Sequence, residues 1–428
     1  MKSAYLLKLK SGLINAGLAL ASLVVAFLAA EIGLRVYHYG GLTWEHAHLP
    51  PVVHEPDPDT GWRLAPGQLA ARSTLDYQIV VQTNSQGLRG PERPPEPEPG
   101  VTTIAVLGDS FMEASQVPAD AAFCHALESA WSTGDFRVIN LGVGGFSTVQ
   151  AWRKFETRGR QYQPDLVLLA FYAENDVYGN VRGLSRMMWG EDDGRCFSAP
   201  FAALGDNGEL VLQPPQYERA VEEFQAAWRQ YSPRLMRLDA LTDSMVEEYY
   251  KRALSRFRQK IHEPGDEMAI HLGVYAENHR LTADRGSAPF DEKWNDAFRV
   301  TEALIHRLKE DVENGGATLA IFAVPSKLQA TPAYRSMVQE HYPEMALDFD
   351  RPHERLAEIC AGAGIPFLDL LPDFLAQTEA GAQLYHQHED SHWNEAGHAL
   401  AAERVAGWLE NQGLLSRDRK SAANSVYP

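Results

Sequence analysis

The sequence predicts an α/β fold in which helices cover both faces of a doubly wound parallel sheet, giving three α/β/α layers. Short apolar runs that alternate with helical stretches predict this sheet. Two further observations predict additions to it: one long apolar run near the N-terminus indicates a transmembrane helix, and a gap of about 145 residues inside the alternating pattern indicates a helical insertion. The short runs are apolar throughout and bounded by turns, as is typical of parallel strands buried on both faces. They are TTIAVL (102–107), FRVINL (136–141), LVLLAFY (166–172), TLAIFAV (318–324) and IPFLDL (365–370).

The long apolar run covers residues 13–34, and as a helix it would rise about 33 Å, enough to cross the core of a bilayer. Three lysines precede the run and only Arg35 closely follows it. This bias predicts a cytoplasmic N-terminus and an extracytoplasmic, periplasmic location for the rest of the chain. A cleaved signal peptide is the alternative, with a weak cleavage site in AFLAAE. Glu31 and Arg35 are spaced to pair on one helix face.

The gap between the third and fourth short runs is too long for a simple crossover and predicts an insertion. Apolar residues recur every three or four positions over 217–261, which favours amphipathic helices that form a cap, an oligomerisation element or a packing element. Before the first run, the stretch YQIVVQ alternates like a strand, and a Pro/Glu-rich segment follows it. The predicted organisation is an N-terminus and transmembrane anchor (1–36), an extended connection (37–100), the α/β domain (101–415) with a helical cap insertion at about 178–310, and a flexible tail (416–428).

Composition excludes some classes of function. The formal net charge is −18, and no cluster of Lys and Arg is present that could bind a phosphate backbone, so nucleic acid is not an expected partner. Three cysteines are too few and too scattered for a disulfide framework or a Cys-rich zinc site. The predicted object is an acidic, membrane-tethered ectodomain.

Polar residues follow the first and second predicted strands. Ser110 stands in the loop after Leu107, where a nucleophile would be exposed at the edge of the sheet. Its alternative role is a capping box with Glu113 for the next helix. The second strand ends in NLGVGGFST, whose glycines allow a tight turn and close approach of the backbone. That segment lacks the Gly-Lys-Ser/Thr of a phosphate loop.

The remaining polar groups follow the third and fifth predicted strands. Asn175 and Asp176 come after LVLLAFY, where an Asn-Asp pair is commonly turn chemistry. Asp390 and His392 come after IPFLDL, just before a final amphipathic helix. A hydroxyl that attacks an ester needs a base, a group that orients the base, and donors for the oxyanion. The four strand ends together offer such a set.

A zinc site is the competing interpretation of the last segment. His388, Glu389 and His392 fit the H-E-x-x-H pattern, and His398 stands where a third ligand would follow. Glu395 occupies the position where that longer motif requires glycine. The turn-forming residues within HQHEDSHWN also disfavour the continuous helix that the motif needs. Zinc chemistry would leave the polar groups at the other strand ends without a role.

These blocks resemble the SGNH (GDSL-type) hydrolase superfamily. The resemblance lies in GDSF with Ser110, NLGVGGFS with Gly145, AEND with Asn175, and DSHWN with Asp390 and His392, in that order. The resemblance covers roughly 84–415. Within the superfamily, the chain is similar to the membrane-anchored bacterial branch with a D-x-H-W-N final block. The resemblance implies a flavodoxin-like three-layer fold.

The resemblance also implies a role for each matching residue. Ser110 would be the nucleophile, His392 the base and Asp390 the group that orients it, while Ser110, Gly145 and Asn175 would form the oxyanion hole. No metal and no cofactor is implied. Only Ser391 separates Asp390 from His392, whereas many members have two residues there. Gly142 or Gly144 could replace Gly145 as the oxyanion donor.

The resemblance implies an esterase or deacylase that acts on O-acyl esters of a glycan or lipid. An O-acyltransferase that moves acetyl groups to an envelope or exported polysaccharide would use the same triad. A zinc hydrolase or a non-catalytic glycan-binding module are the other hypotheses. Trp393 and aromatic residues of the insertion could stack on sugars or belong to the core.

Overall fold

The architecture is described from a computed structural model. It describes residues 2–51, 54–131, 135–189, 198–229, 272–276, 290–343, 345–387 and 390–415, with short pieces at 236, 240–241 and 243–249. The predicted tail at 416–428 and much of the predicted insertion lie outside the described residues. The same is true of His388 and Glu389, the first two residues of the zinc hypothesis.

The strands, in chain order, are β1 (His54–Asp57), β2 (Gly61–Leu64), β3 (Leu69–Ser73), β4 (Gln78–Gln82), β5 (Thr102–Leu107), β6 (Phe136–Asn140), β7 (Leu166–Phe171), β8 (Phe201–Leu204), β9 (Leu210–Gln213), β10 (Thr318–Ala323) and β11 (Phe367–Asp369). The α-helices with defined bounds are α1 (Lys2–Tyr39), α2 (Ser110–Glu113), α3 (Phe123–Ala130), α4 (Thr148–Lys154), α5 (Ala173–Asp176), α6 (Arg182–Trp189), α7 (Tyr217–Arg229), α8 (Phe290–Asn314), α9 (Lys327–Ala330), α10 (Pro332–His341), α11 (Arg351–Ala363), α12 (Leu371–Glu379) and α13 (Glu395–Asn411).

The central element is a five-stranded sheet in the order β11-β10-β7-β5-β6, and every pair of neighbouring strands is parallel. All five strands coincide with the predicted apolar runs, so the predicted α/β fold is confirmed. Strands β5 and β7, the first and third of this sheet in chain order, are neighbours. The chain continues from β5 to β6 at one edge of the sheet and from β7 to β10 toward the other edge. In open α/β sheets the crevice at such a switch point is where ligands bind.

Both faces of the sheet are buried, which explains why its strands are apolar throughout. Along β5, Ala105 and Leu107 belong to one hydrophobic core, and Ile104 and Val106 belong to the other, as the two-residue period of a strand requires. Helices α4, α8 and α11 supply side chains to the first core, and helices α3, α12 and α13 supply them to the second. The three predicted layers are therefore present.

The chain divides into two compact units. One comprises Met1–Pro50 with Gln230–Glu263, and the other comprises Pro51–Arg229 with Pro264–Pro428. The second unit contains the sheet and also the two N-terminal hairpins, β1-β2 and β3-β4, which are antiparallel. The described part of the insertion contains the antiparallel hairpin β8-β9 in addition to helices.

In the first unit, the predicted apolar run lies within α1. Residues Gly12–Tyr39 are long and apolar enough to cross a membrane. A signal sequence would satisfy the same criterion. Large apolar side chains on this helix, among them Leu13, Leu23 and Phe27, are about half exposed or more.

Candidate functional site

The site lies at the carboxyl ends of β5 and β7. Ser110 is the first residue of the four-residue helix α2, three positions after the end of β5. The helix is capped by Asp109, whose Oδ1 accepts a hydrogen bond from the N–H of Phe111 at 2.9 Å. The cap is therefore Asp109, and not Ser110 as the capping-box alternative expects. This arrangement leaves the Ser110 hydroxyl available for another partner.

That partner is His392. Its Nε2 lies 2.7 Å from Ser110 Oγ, and its Nδ1 lies 2.5 Å from Asp390 Oδ1. The same carboxylate oxygen accepts the backbone N–H of His392 at 2.9 Å. A carboxylate that binds Nδ1–H fixes the tautomer in which Nε2 is free to accept a proton from a hydroxyl. The structure thus brings Ser110, His392 and Asp390 into one chain of hydrogen bonds.

The fourth member of this chain is Tyr77, which sequence reasoning missed. Its hydroxyl donates to Asp390 Oδ2 at 2.8 Å. Burial by itself would raise the pKa of Asp390, but the hydrogen bonds from His392 and Tyr77 outweigh burial and hold the pKa well below the usual carboxyl range. Asp390 is therefore an anion with both oxygens engaged. Tyr77 immediately precedes β4 and belongs to the predicted connection, where only its strand pattern was visible.

Asp109 joins the loop after β5 to the loop after β7. Its Oδ2 accepts the side-chain amide of Asn175 at 2.6 Å. Burial raises the pKa of Asp109 to about 6, although the Phe111 and Asn175 hydrogen bonds and the charge of His392 oppose that shift. Asn175 thus donates one side-chain N–H to Asp109 and has a second available. The Asp109 carboxylate, which immediately precedes Ser110 in the chain, holds Asn175 in position.

The three glycines after β6 differ in what their backbone N–H groups do. Gly142 N–H donates to Asn140 Oδ1 at 3.0 Å, and Gly144 N–H donates to Glu113 Oε2 at 2.6 Å. For Gly145 no acceptor is present among the described residues. Gly145 also has a φ of +74°, a conformation that glycine adopts without strain. Of the three candidates, Gly145 is therefore the one with an N–H left for a ligand.

The glycine turn is held by charged and aromatic groups that sequence reasoning also missed. Glu113 Oε2 accepts His54 Nε2 at 2.7 Å in addition to Gly144 N–H. Trp62 Nε1 donates to the Gly144 carbonyl at 2.9 Å. Burial would raise the pKa of Glu113, but His54 and the Gly144 N–H lower it to about 2. For His54, burial lowers the pKa and the charge of Glu113 raises it, with a net rise.

Two residues of the final block have structural roles. Trp393 is fully buried in the second core, with its ring centroid 5.1 Å from that of Phe374, so it is a core residue and does not face a sugar. His398 is buried against Trp393, with ring centroids 5.5 Å apart, and burial lowers its pKa to about 3. Within the described ranges no three His, Cys, Asp or Glu side chains are grouped to hold a metal ion.

The missed residues share one property. Tyr77, His54 and Trp62 all come from the hairpins that precede the α/β domain, and nothing in their local sequence distinguishes them from ordinary strand residues. Glu113 carries a signal, its position three residues after Ser110, but that spacing predicts a capping box and not a bond to a distant glycine. Only the fold shows these contacts.

One protein-family model matches the C-terminal third of the chain. Residues 289–426 match the family model described as an SGNH hydrolase-like domain, acetyltransferase AlgX. The matched segment includes Asp390 and His392, whereas Ser110, Gly145 and Asn175 precede it. The match confirms the predicted resemblance to the SGNH superfamily. A comparison with curated protein sequences gives no match.

Comparison with solved structures gives distant likenesses. An acetyl xylan esterase, AlAXEase, superposes with a TM-score of 0.35 at 11% identity, over 71% of this chain and 98% of that chain. A two-domain esterase active on acetylated mannans gives a TM-score of 0.34 at 11% identity, over 73% and 49%. The psychrotrophic esterase EstA from Pseudoalteromonas sp. gives 0.32 at 11% identity, over 73% and 98%.

Replacement of Tyr77 by Phe removes the second hydrogen bond to Asp390 while keeping the ring. We expect kcat for a short-chain p-nitrophenyl ester to fall roughly fivefold to thirtyfold with KM unchanged, because a bond of about 1–2 kcal/mol that orients the carboxylate is lost. The matched control is Tyr162→Phe, since the Tyr162 hydroxyl binds Gln86 at 2.9 Å. Equal kcat values for the two variants would show that Tyr77 does not act through Asp390.

The His54–Glu113 pair predicts a pH-dependent contribution to stability. Because the pKa of His54 is raised in the folded protein, its contribution is complete below the ordinary histidine pKa and is lost as pH rises through the raised value. The lowered pKa of Glu113, about 2, makes its contribution complete above the ordinary Glu pKa and lost only toward pH 2. Arg72 and Lys154 oppose the protonation of His54.

We therefore expect His54→Gln to lower the free energy of unfolding by roughly 1–2 kcal/mol at pH 6 and by less at pH 9. Urea titrations at both values of pH measure the difference. The exposed His306 of α8, replaced by Gln, is the control and should show no such trend. A loss of the same size at both values of pH would contradict the charged pair.

Proposed function

Because residues 289–426 match an SGNH hydrolase-like domain, we propose that this chain is a serine esterase of that superfamily and removes O-acyl groups from a glycan or lipid. One observation carries the proposal: Ser110 Oγ, the His392 imidazole and the Asp390 carboxylate form a continuous chain of hydrogen bonds of 2.7 and 2.5 Å. A serine needs such an oriented base to become a nucleophile. The residues come from opposite ends of the α/β domain, so their meeting does not follow from local packing.

The proposed mechanism follows from these contacts. Ser110 Oγ attacks the acyl carbon while its proton passes to His392 Nε2. The resulting imidazolium donates Nδ1–H to Asp390, which Tyr77 and burial keep in a fixed orientation. The tetrahedral intermediate collapses when His392 returns a proton to the departing alcohol oxygen, leaving an acyl group on Ser110. Water then attacks this acyl-enzyme in the same way and releases the acid.

The oxyanion requires donors that are in place before the reaction. In our proposal these are the backbone N–H groups of Ser110 and Gly145 and the side-chain amide of Asn175. No acceptor for either backbone N–H is present among the described residues. Glu113 holds the turn that presents Gly145, and Asp109 holds Asn175. The donors therefore need little reorganisation when charge develops.

An O-acyltransferase is the second candidate function. The observation that favours it is the match of residues 289–426 to the AlgX acetyltransferase family. Both reactions share the acyl-enzyme on Ser110, and they differ in whether water or a sugar hydroxyl accepts the acyl group. For either activity, the apolar helix α1 supports a membrane anchor and an extracytoplasmic location for the rest of the chain. At that location the substrate would be an acylated envelope glycan or lipid.

Replacement of Ser110 by Ala should reduce release of p-nitrophenol from a short-chain ester by at least about a thousandfold, because the nucleophile is absent. The control is Ser85→Ala, since the Ser85 hydroxyl binds Glu92 in an exposed loop, and it should keep full activity. A fluorophosphonate should label the wild type and Ser85→Ala but not Ser110→Ala, and a chelator should have no effect. Equal turnover by all three proteins would eliminate Ser110 as the nucleophile.

Addition of a polysaccharide acceptor separates the two activities. For an esterase, the acyl group appears as free acid and the acceptor stays unmodified. For an acyltransferase, mass spectrometry of the acceptor shows added acyl groups, and free acid decreases in proportion. Ser110→Ala should give neither product.

A further inference from the structure

The charged pair in the apolar helix α1 has no role in the proposed reaction. From Leu13 to Ala30 the helix rises about 27 Å, close to the thickness of a bilayer core, so Glu31 and Arg35 stand near the end of the span. Both side chains are buried, with 9% of Glu31 and 5% of Arg35 exposed. Arg35 Nε binds Glu31 Oε1 at 2.5 Å. Two charged side chains that are buried to this extent need hydrogen-bond partners in addition to each other.

Those partners belong to the insertion. Glu31 accepts the backbone N–H groups of Met245 and Val246 at 2.9 and 3.0 Å, and the Ser244 hydroxyl at 3.1 Å. Ser244 Oγ in turn accepts the N–H of Glu247 at 3.1 Å. Residues 245–249 are helical, and N–H groups in the first turn of a helix have no partner inside it. Glu31 and Ser244 supply those partners.

Arg35 binds the chain just before this turn. Its guanidinium donates to the carbonyls of Ala240 at 2.9 Å and Leu241 at 3.1 Å, and also to the carbonyl of Asp243. A further bond joins it to the Leu42 carbonyl at 2.9 Å. Glu31 therefore only accepts hydrogen bonds from the insertion, and Arg35 only donates them. Exchange of the two residues would reverse every one of these contacts.

We propose that Glu31 and Arg35 form a docking clamp that fixes residues 240–246 of the insertion to the end of α1. The helix is then a structural partner of the insertion and is retained in the mature protein, whereas a signal peptide would be removed. If α1 spans the membrane as proposed above, the clamp holds this part of the insertion at the bilayer surface. Leu241, which is 47% exposed beside the clamp, presents an apolar side chain there.

The test uses the exchanged variant Glu31→Arg with Arg35→Glu in the full-length protein in detergent. It keeps the composition, the net charge and an ion pair four residues apart, which is all that an ordinary surface pair requires. We expect the amides of Met245 and Val246 to exchange hydrogen for deuterium roughly tenfold faster or more than in the wild type, because their acceptor is gone. The double variant Glu31→Ala with Arg35→Ala, which also lacks the acceptor, should show the same acceleration.

Two internal measurements make the result decisive. The amides of β5 and β7 should exchange at wild-type rates in every variant, which separates loss of the clamp from general unfolding. The intact mass of the wild type should include the residues before Glu31. Wild-type exchange at Met245 and Val246 in the exchanged variant would overturn the clamp, and a mature chain that begins at or after Glu31 would overturn retention of the helix. Neither readout depends on esterase activity, so failure here is distinct from failure of the proposed reaction.

Discussion

The hydrogen bond between Ser110 Oγ and His392 Nε2 is the interaction on which the proposed chemistry depends, and it joins residues 282 positions apart. It can form only because a parallel sheet collects the carboxyl ends of its strands at one edge. In the sheet, Leu107 of β5 lies opposite Leu169 of β7, and Ala323 of β10 lies opposite both Phe171 of β7 and Asp369 of β11. The loops that follow these strands therefore meet.

Buried charged side chains border the site and form hydrogen bonds between segments that are separate in the chain. Asp109 ties Asn175 to the helix that carries Ser110, and Glu113 ties that helix to the glycine turn. A buried carboxylate without partners would be costly, so each tie resists rearrangement. The buried Arg89 adds to this frame by donating to the carbonyls of Glu113, Ala114 and Val117. Donors fixed in this way suit the stabilisation of a developing negative charge.

The site depends on the N-terminal hairpins, which follow the apolar helix in the chain. Tyr77 reaches Asp390 from the start of β4, and His54 and Trp62 reach the glycine turn from β1 and β2. Residues that look like a spacer between the apolar helix and the α/β domain thus contact both halves of the site. Removal of this connection would leave Asp390 and Glu113 with fewer partners inside the protein.

The sequence by itself determined the fold class, the five strands of the sheet and the polar residues at their ends. Period-two burial on both faces makes such strands apolar throughout, and four blocks in a fixed order resemble those of the SGNH superfamily. Tertiary structure alone decided which backbone N–H among Gly142, Gly144 and Gly145 has no acceptor in the described part of the chain, that Trp393 lies in the core, and that Asp109 is the helix cap. These outcomes depend on contacts between segments far apart in the chain, and local spacing carries no information about which side chain a distant loop will bring near.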